Sequence, residues 1–160
     1  MFTKVLFATD FTKVSRKAFE YLKNLTNSGM VDEVILFHVV DENDIKDAQR
    51  ICVSIRTKNL MFKEANSVIL KECEKSVKDR LINHAKEELN KLKRMLPNIK
   101  VRCIVKVGKP FIEIISLAEK EKVSLIIVGS HGKGIARSKL IGSCSESVIR
   151  YATCPVLVVK

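Results

Sequence analysis

The sequence predicts an α/β fold in which a parallel sheet has helices packed on both faces. Short apolar runs, of the kind that is buried on both faces of a sheet, alternate with segments whose apolar residues recur every three or four positions. Strands that alternate with helices in this way are typical of parallel sheets. The 160 residues suit one domain over residues 1–160, and 46% hydrophobic with 29% charged residues is usual for a globular protein.

The first elements are a strand, a helix and a second strand. Residues 4–9 form an apolar run that stops at Asp10 and predicts a strand buried on both faces. Apolar residues then recur at helical spacing, with Thr12 as a suitable N-cap and Gly29 near the helix end. Residues 34–40 are again continuously apolar except for one histidine, which predicts the second strand.

The middle of the chain is less regular. Residues 41–60 are polar and mixed, and no element is assigned to them. In residues 61–96 the apolar positions step by three or four. This spacing predicts one long amphipathic helix, or two helices broken near residues 72–78.

The last part of the chain returns to alternating elements. Residues 101–107 alternate apolar and polar side chains, which is typical of a half-exposed strand at a sheet edge, and Pro110 suits the first turn of a helix. Residues 123–128, which are apolar except for Ser124, predict a further strand; Ser143 is expected to begin a short helix, and residues 155–159 predict the final strand. We expect the first strand of the chain near the middle of the sheet.

In an open parallel sheet, ligands bind beyond the carboxyl ends of the strands. Three segments reach that edge with polar or glycine residues: 8–10, 38–41 and 129–132. A fourth, residues 142–145, begins a helix, whose free N–H groups and positive dipole end suit a phosphate. The glycines alone leave two interpretations open, a chain turn or a ligand site.

Two common nucleotide motifs are absent. The chain has no G-x-x-x-x-G-K-[ST], and Arg137 stands where the third glycine of a dinucleotide motif would be. Gly129, Gly132, Gly142 and Ser143 instead form the pattern G-x2-G-x9-G-[ST] between a strand and a helix. In this pattern the chain resembles the ATP-binding universal stress proteins, and the similarity extends from Thr9-Asp10-Phe11 to the closing Cys154-Pro155 and the apolar residues after it.

The resemblance implies a five-stranded sheet of order 3-2-1-4-5, a Rossmann-like fold of the adenine nucleotide alpha hydrolase type. It also implies that ATP, with Mg²⁺ or Mn²⁺, lies over the gap between strands one and four. The implied nucleotide-binding residues are Ala8, Thr9, Asp10, Val39, Val128, Gly129, His131, Gly132, Gly142, Ser143, Cys144 and Ser145.

By position, the phosphates would be held by N–H and hydroxyl groups of Gly132, Gly142, Ser143 and Ser145, with the backbone of Cys144 beside them. Gly129 would pass the ribose, and the backbone of Val39 would meet the adenine edge. The remaining adenine pocket would be lined by Ala8, Thr9 and Val128. Asp10 would face ribose or phosphate, directly or through an ATP-bound divalent ion; the alternative is a cap on the following helix. For His131 the alternative is an ordinary polar loop residue.

Three functions are compatible with this site: a nucleotide-dependent sensor or regulator in stress response, a slow ATPase or phosphotransferase, and a basic nucleic-acid-binding protein. We expect no enzyme beyond weak ATP hydrolysis. Lys133, Arg137 and Lys139 suit holding phosphates, whereas no partner that would orient His131 as a base is evident in the motif.

The overall charge is a formal +11, which favours anionic partners. The basic residues are scattered rather than gathered in one arm, and no glycine-aromatic motif of an RNA-reading sheet is present. A solvated cationic surface is therefore favoured over nucleic-acid binding. No apolar run approaches the roughly 20 residues that cross a bilayer, and the first residues lack the layout of a signal peptide. We expect a cytoplasmic protein without membrane contact.

The five cysteines include no C-x-x-C pair, which argues against a zinc site and a redox dithiol. Reduced and mostly buried thiols are expected. The final strand, 155–159, is apolar on both faces and is placed at a sheet edge by the implied order. Because an apolar edge must be paired or covered, we expect a homodimer through this strand, alongside unknown protein partners.

Overall fold

Five strands form one parallel sheet in the order β3-β2-β1-β4-β5. The computed structural model describes residues 1–57, 66–131 and 141–160. The elements are β1 Val5–Ala8, α1 Lys13–Asn27, β2 Glu33–Asp41, α2 Glu42–Thr57, α3 Asn66–Arg94, β3 Lys100–Gly108, α4 Pro110–Glu121, β4 Leu125–Gly129, α5 Ser143–Tyr151 and β5 Val156–Val159. The predicted strand order is confirmed, with β1 in the centre and the half-exposed β3 at an edge.

Helices cover both faces of this sheet. Val5 and Phe7 of β1 belong to an apolar cluster that includes residues of α1 and α3. Leu6 and Ala8 belong to a second cluster that includes residues of α4 and α5. Because successive side chains of a strand point to opposite faces, a strand covered on both sides must be apolar throughout. This is why the central strands have continuous apolar runs.

The helix boundaries follow from local sequence signals. The side chain of Thr12 accepts a hydrogen bond from the backbone N–H of Ser15, so Thr12 is the N-cap of α1 as predicted. Pro110 is the first residue of α4, where its missing N–H is not needed. Gly29, with φ of 70°, turns the chain after α1.

The middle region forms two helices, one in the stretch without an assignment and one in the periodic stretch. Residues 42–57 are α2, which covers most of the stretch that has no assignment from sequence. Its helical pattern is weak because Ile45 is its one fully buried side chain among residues 42–54, and Ile51 is 62% exposed. Helix α3 runs through residues 72–78 without a break, so the one-helix alternative is correct there; residues 61–65 lie outside the described part.

The cysteine expectation is wrong in two respects. Cys52 of α2 and Cys73 of α3 form a disulfide, with their Cα atoms 5.9 Å apart. Of the five cysteines only Cys73 is buried; Cys103, Cys144 and Cys154 are free and half-buried. The pairing could not be expected from spacing, because it depends on how two helices pack. Among the described helices, none is long and apolar enough to cross a membrane.

The amino ends of the strands carry a network of ion pairs. Arg102 of β3 contacts Glu33 at 2.8 Å and Glu121 at 2.5 Å, and Lys4 and Lys100 contact these same carboxylates. The hydrogen bond from Arg102, assisted by Lys4, lowers the pKa of Glu121 to about 2. Burial raises the pKa of Glu33, but hydrogen bonds from Arg102 and Lys100 outweigh it and leave that pKa below its usual value.

Candidate functional site

A cleft of about 300 Å³ opens at the carboxyl ends of β1 and β4. Every predicted nucleotide-binding residue within the described part of the chain lines it; Gly132 lies outside that part. The lining residues among the predicted set are Ala8, Thr9, Asp10, Val39, Val128, Gly129, His131, Gly142, Ser143, Cys144 and Ser145. The sequence pattern and the fold thus converge on one cavity.

The cleft lies where it does because the chain leaves the two neighbouring strands in opposite directions. After β1 the chain enters α1, which packs in the apolar cluster on one face. After β4 it reaches α5, whose Val148 belongs to the cluster on the other face. Such a reversal leaves a crevice beyond the strand ends, the usual ligand position in this class of sheet.

The amino end of α5 forms one wall of the cleft. The N–H of Gly142 donates to the carbonyl of Ser130 at 2.7 Å, and the N–H of Glu146 makes the first intrahelical bond, to Gly142 at 2.9 Å. The N–H of Gly142, which was expected to hold phosphate, is therefore already hydrogen-bonded within the protein. By helix geometry, the N–H groups of Ser143, Cys144 and Ser145 lack intrahelical acceptors, so this first turn carries the anion-binding potential of the wall.

Ser145 differs in detail from the expectation. Its hydroxyl is buried and donates to the carbonyl of Gly129 at 2.7 Å, so its proton is directed to the protein rather than to a phosphate. The bond fixes α5 against the end of β4. Ser143 is exposed at the same wall and is the better placed of the two hydroxyls for an anion.

The end of β1 forms the opposite approach to the cleft. An Oδ1 atom of Asp10 accepts hydrogen bonds from the hydroxyl of Thr12 at 2.7 Å and from its N–H at 3.1 Å. Asp10 is therefore not itself the cap of α1, which was its alternative role; it holds the capping residue Thr12 and also lines the cleft. Thr9 is buried, and its hydroxyl donates to that of Ser15 at 3.1 Å. Both side chains fix the turn from β1 into α1.

A strained residue follows Asp10. Phe11 has φ of 63°, a left-handed conformation that is uncommon for a bulky residue and that often marks functional sites. Its ring stacks on that of His38, with centroids 4.6 Å apart. His38 is buried and its Nδ1 donates to the carbonyl of Thr9 at 2.7 Å. The turn after β1 is thereby attached to the neighbouring β2.

His131 has an orienting partner that the motif alone did not reveal. The hydroxyl of Ser130, which is fully buried, lies 2.8 Å from Nδ1 of His131. Nε2 of His131 is buried and has no partner among the described residues. Since a buried polar atom is ordinarily hydrogen-bonded, this nitrogen is a candidate for a contact with a ligand in the cleft.

Carboxylates give the cleft a negative side. Asp10, Asp41 and Asp44 line it, and burial together with the charges of Asp10 and Asp41 raises the pKa of the Cys144 thiol to about 11. The thiol is therefore protonated at neutral pH and is not an activated nucleophile. The same carboxylates would repel a phosphate at the amino end of α5 unless a cation stood between them. No cluster of three or more metal-ligating side chains occurs within the described ranges.

Several lining residues are absent from the predicted set: Ser15, Phe37, His38, Asp41, Asp44, Pro110 and Ile114. Asp41 could have been found, because it ends β2 as Asp10 follows β1. Asp44 could not, because it belongs to α2, where the sequence has no clear pattern.

A second cavity of about 480 Å³ shares Asp10, His38 and Asp44 with the cleft and continues towards α3.

The fold and the cleft define the class of protein. It is an open parallel α/β protein with a cleft of the ligand-binding kind where the chain leaves neighbouring strands in opposite directions. The family is set by comparison: the model of the universal stress protein family matches residues 1–160. The chain belongs to the universal stress protein family.

The similarity to one relative extends over the whole chain. Universal stress protein MJ0577 of Methanocaldococcus jannaschii is 36% identical, with 100% of this chain and 96% of the relative covered. Its solved structure has a TM-score of 0.81 at 35% identity, covering 100% of this chain and 96% of that one. A more distant family protein from Arabidopsis thaliana, solved with AMP bound, has a TM-score of 0.55 at 17% identity and covers 99% of this chain and 91% of that one. The last similarity concerns the fold alone.

Proposed function

We propose that this chain binds ATP in the cleft and acts as a nucleotide-dependent sensor or regulator in stress response. The observation that carries the proposal is the convergence of Gly129, Gly142 and Ser143, the described residues of the G-x2-G-x9-G-[ST] pattern, with the strand ends on one cavity. A volume of about 300 Å³ is within the range of small-molecule sites. A relative of the same fold has been solved with AMP, which supports a nucleotide as the ligand.

In this proposal the phosphates meet the first turn of α5, where the N–H groups of Ser143 to Ser145 and the hydroxyl of Ser143 donate hydrogen bonds. Nε2 of His131 supplies a further donor, because its Nδ1 can accept from the hydroxyl of Ser130. The ribose and adenine lie towards Val39 and the apolar wall of Ala8 and Val128.

A divalent ion completes this arrangement. Asp10 and Asp41 act on the Cys144 thiol at the amino end of α5, so phosphates there would face two carboxylates. Mg²⁺ or Mn²⁺ bound to the phosphates would remove that repulsion. Mg²⁺ is usually held by one or two carboxylates, phosphate oxygens and water rather than by a protein cage, so a set of three protein ligands is not required.

Mass spectrometry of the freshly purified, denatured protein tests the proposal directly. We expect an adenine nucleotide to be released, and titration calorimetry with ATP and MgCl₂ to give saturable binding. Absence of both would contradict it. Binding of a nucleic acid with no nucleotide affinity would instead favour the basic nucleic-acid-binding alternative.

The second candidate is a slow ATPase or phosphotransferase, which the Ser130–His131 contact favours because an oriented imidazole can accept a proton. We propose that turnover is nevertheless slow, since the partner of His131 is a hydroxyl and the thiol of Cys144 is held protonated. Multiple-turnover hydrolysis faster than about 1 per second, in the ordinary enzyme range, would overturn this, above all if His131→Ala removed it while ATP still bound.

The homodimer is likewise a proposal. Strand β5 has four residues, and its side chains pack against both apolar clusters: Leu157 and Val159 on one face, Val156 and Val158 on the other. Among the described residues no strand pairs with the backbone edge of β5 away from β4, and a second copy could extend the sheet there. Analytical ultracentrifugation that shows only monomer at micromolar concentration would contradict it. A cytoplasmic location is proposed with it, and cell fractionation tests that.

A further inference from the structure

The Cys52–Cys73 disulfide joins two helices at a place where both are mostly exposed to solvent. None of the residues 42–54 of α2 belongs to either apolar cluster of the sheet. In residues 42–54 Ile45 is the one fully buried side chain, and in the described part of residues 66–80 Cys73 is the one. A hydrogen bond at 3.2 Å from Gln49 to the carbonyl of Leu70 also joins the two helices, and it is exposed to solvent.

Helix α2 also forms part of the candidate site. It begins at Glu42, directly after β2, so its first turn continues the chain from Asp41. Asp41 and Asp44 both line the nucleotide cleft, and Asp44 lines the second cavity as well. A helix is a stiff rod over this distance, so the bond at Cys52 constrains the position of Asp44 two turns earlier.

By contrast, the second half of α3 is firmly held. Leu89 is buried in the cluster with α1 and the sheet, and so is Leu96, which follows the end of the helix. The disulfide therefore connects a mostly exposed helix that borders the site to a helix that is anchored in the core.

We propose that Cys52 and Cys73 are a redox-sensitive site whose disulfide holds α2 against α3 and thereby raises the affinity of the cleft for its nucleotide. The inference rests on the proposed function for the ligand, but the attachment of α2 can be measured without it. In the reduced protein α2 is released from α3, and the carboxylates at its start lose their fixed position.

The chemistry is reversible thiol–disulfide exchange with a dithiol, either a small molecule or a thioredoxin-like protein. A thiolate of the reductant attacks Sγ of Cys52, which is half-buried while Cys73 is fully buried. The Cys52–Cys73 bond breaks, a mixed disulfide forms on Cys52, and Cys73 leaves as a thiolate that takes up a proton. The second thiol of the reductant then closes its own disulfide and releases Cys52. Two electrons and two protons pass from the dithiol to the protein.

Hydrogen exchange and calorimetry on the full-length protein test this inference. Wild type is compared after air oxidation and after dithiothreitol treatment, with intact mass after thiol alkylation reporting the state of the cysteines. We expect reduction to speed exchange in residues 42–54 and to weaken ATP binding by about fivefold or more, the usual scale of coupling between sites. Cys52→Ser should behave as reduced wild type with or without dithiothreitol.

Cys103→Ser is the matched control, because Cys103 is a free, half-buried cysteine on β3. It should respond to dithiothreitol as wild type does. Equal exchange in residues 42–54 in both redox states, or failure of the disulfide to form in air, would overturn the inference. Equal ATP affinity in both states would also overturn it while leaving the proposed function intact. Absence of ATP binding in both states, with a change in exchange, would instead contradict the proposed function alone.

Discussion

The two edges of the sheet hold their polar residues in different ways. At the amino edge Glu33 and Glu121 are paired with Arg102 and the neighbouring lysines. At the carboxyl edge the polar groups converge on a cleft instead, and Nε2 of His131 is buried there without a partner among the described residues. The first edge satisfies its charges internally, whereas the second keeps polar groups directed at a cavity. The proposed function thus places binding at one end of the strands and the ion-pair network at the other.

The largest expected effect comes from Gly142→Val at the carboxyl edge. Gly142 has φ of −66° and ψ of 150°, a conformation open to valine, so the backbone need not change. The added side chain would narrow the approach to the amino end of α5, where charge-assisted hydrogen bonds contribute roughly 1.5–3 kcal/mol each. We expect at least a tenfold loss of ATP affinity by calorimetry.

Ser143→Ala is the comparison for that variant. It keeps every N–H group of the first turn and removes one hydroxyl, so it should weaken ATP binding less than Gly142→Val does. Thermal unfolding of both variants checks that the fold survives. If the folded Gly142→Val protein bound ATP with wild-type affinity, the assignment of the phosphates to the amino end of α5 would be wrong.

The second prediction concerns Gly129→Ala, at the end of β4. A Cβ atom there would lie 3.1 Å from Cγ1 of Val14, 3.2 Å from the backbone N of Ser15 and 3.3 Å from the carbonyl carbon of Val14. Because two of these are backbone atoms of α1, they cannot move aside as a flexible side chain does. We expect urea unfolding to show a loss of about 1–2 kcal/mol, in the range of overpacked sites. Unchanged stability would mean that α1 approaches β4 less closely.

A pair of serine variants separates the two edges directly. Ser145 donates to Gly129 at the carboxyl edge, and Ser124 exchanges hydrogen bonds with the backbone of Lys4 at the amino edge. Replacing either serine by alanine should destabilise the protein by about 1 kcal/mol, the usual contribution of such a bond. Only Ser145→Ala should also weaken ATP binding. If both variants lost the same ATP affinity, the proposed difference in function between the two edges would be contradicted.

The smallest effect is expected from Glu121→Gln at the amino edge. The folded pKa of Glu121 is about 2 against the usual 4.5, so its stabilising effect is complete above pH 4.5 and is lost as the pH falls towards about 2. Because the pair is partly solvated, we expect a difference below about 1 kcal/mol at pH 7. Urea unfolding of wild type and variant at pH 7 and pH 2.5 should show the difference shrinking in acid. A constant difference would contradict the pairing.

Much of the fold could be predicted from the sequence because burial on both faces leaves a local signal. Residues 5–8 and 125–128 are apolar throughout since alternate side chains enter different clusters. The glycine spacing around Gly129 and Gly142 indicated the cleft for a similar reason, as it is a pattern of the chain itself.

The remaining features depend on packing between distant segments, which leaves no local pattern. Asp44 lines the cleft from the first turn of α2. Because α2 is mostly exposed, its apolar residues do not recur with a clear helical period in the sequence. The hydroxyl of Ser145 is taken by Gly129 because the end of β4 lies beside α5. The disulfide partner of Cys52 is decided by the position of α3.

The pairing of β2 with β3 has a consequence for the order of folding. Their residues match one to one from Glu33–Lys100 to Asp41–Gly108, although α2 and α3 separate the two strands in the sequence. Joining such distant segments costs loop entropy before any contact compensates for it, which slows folding. We therefore expect β3 to join the sheet after β1 and β2 have paired, since Val5 and Val34 are closer in the sequence than Glu33 and Lys100. During that interval the edge of β2 and the apolar side of α3 are uncovered, and a crowded, newly made chain is most prone to aggregate there.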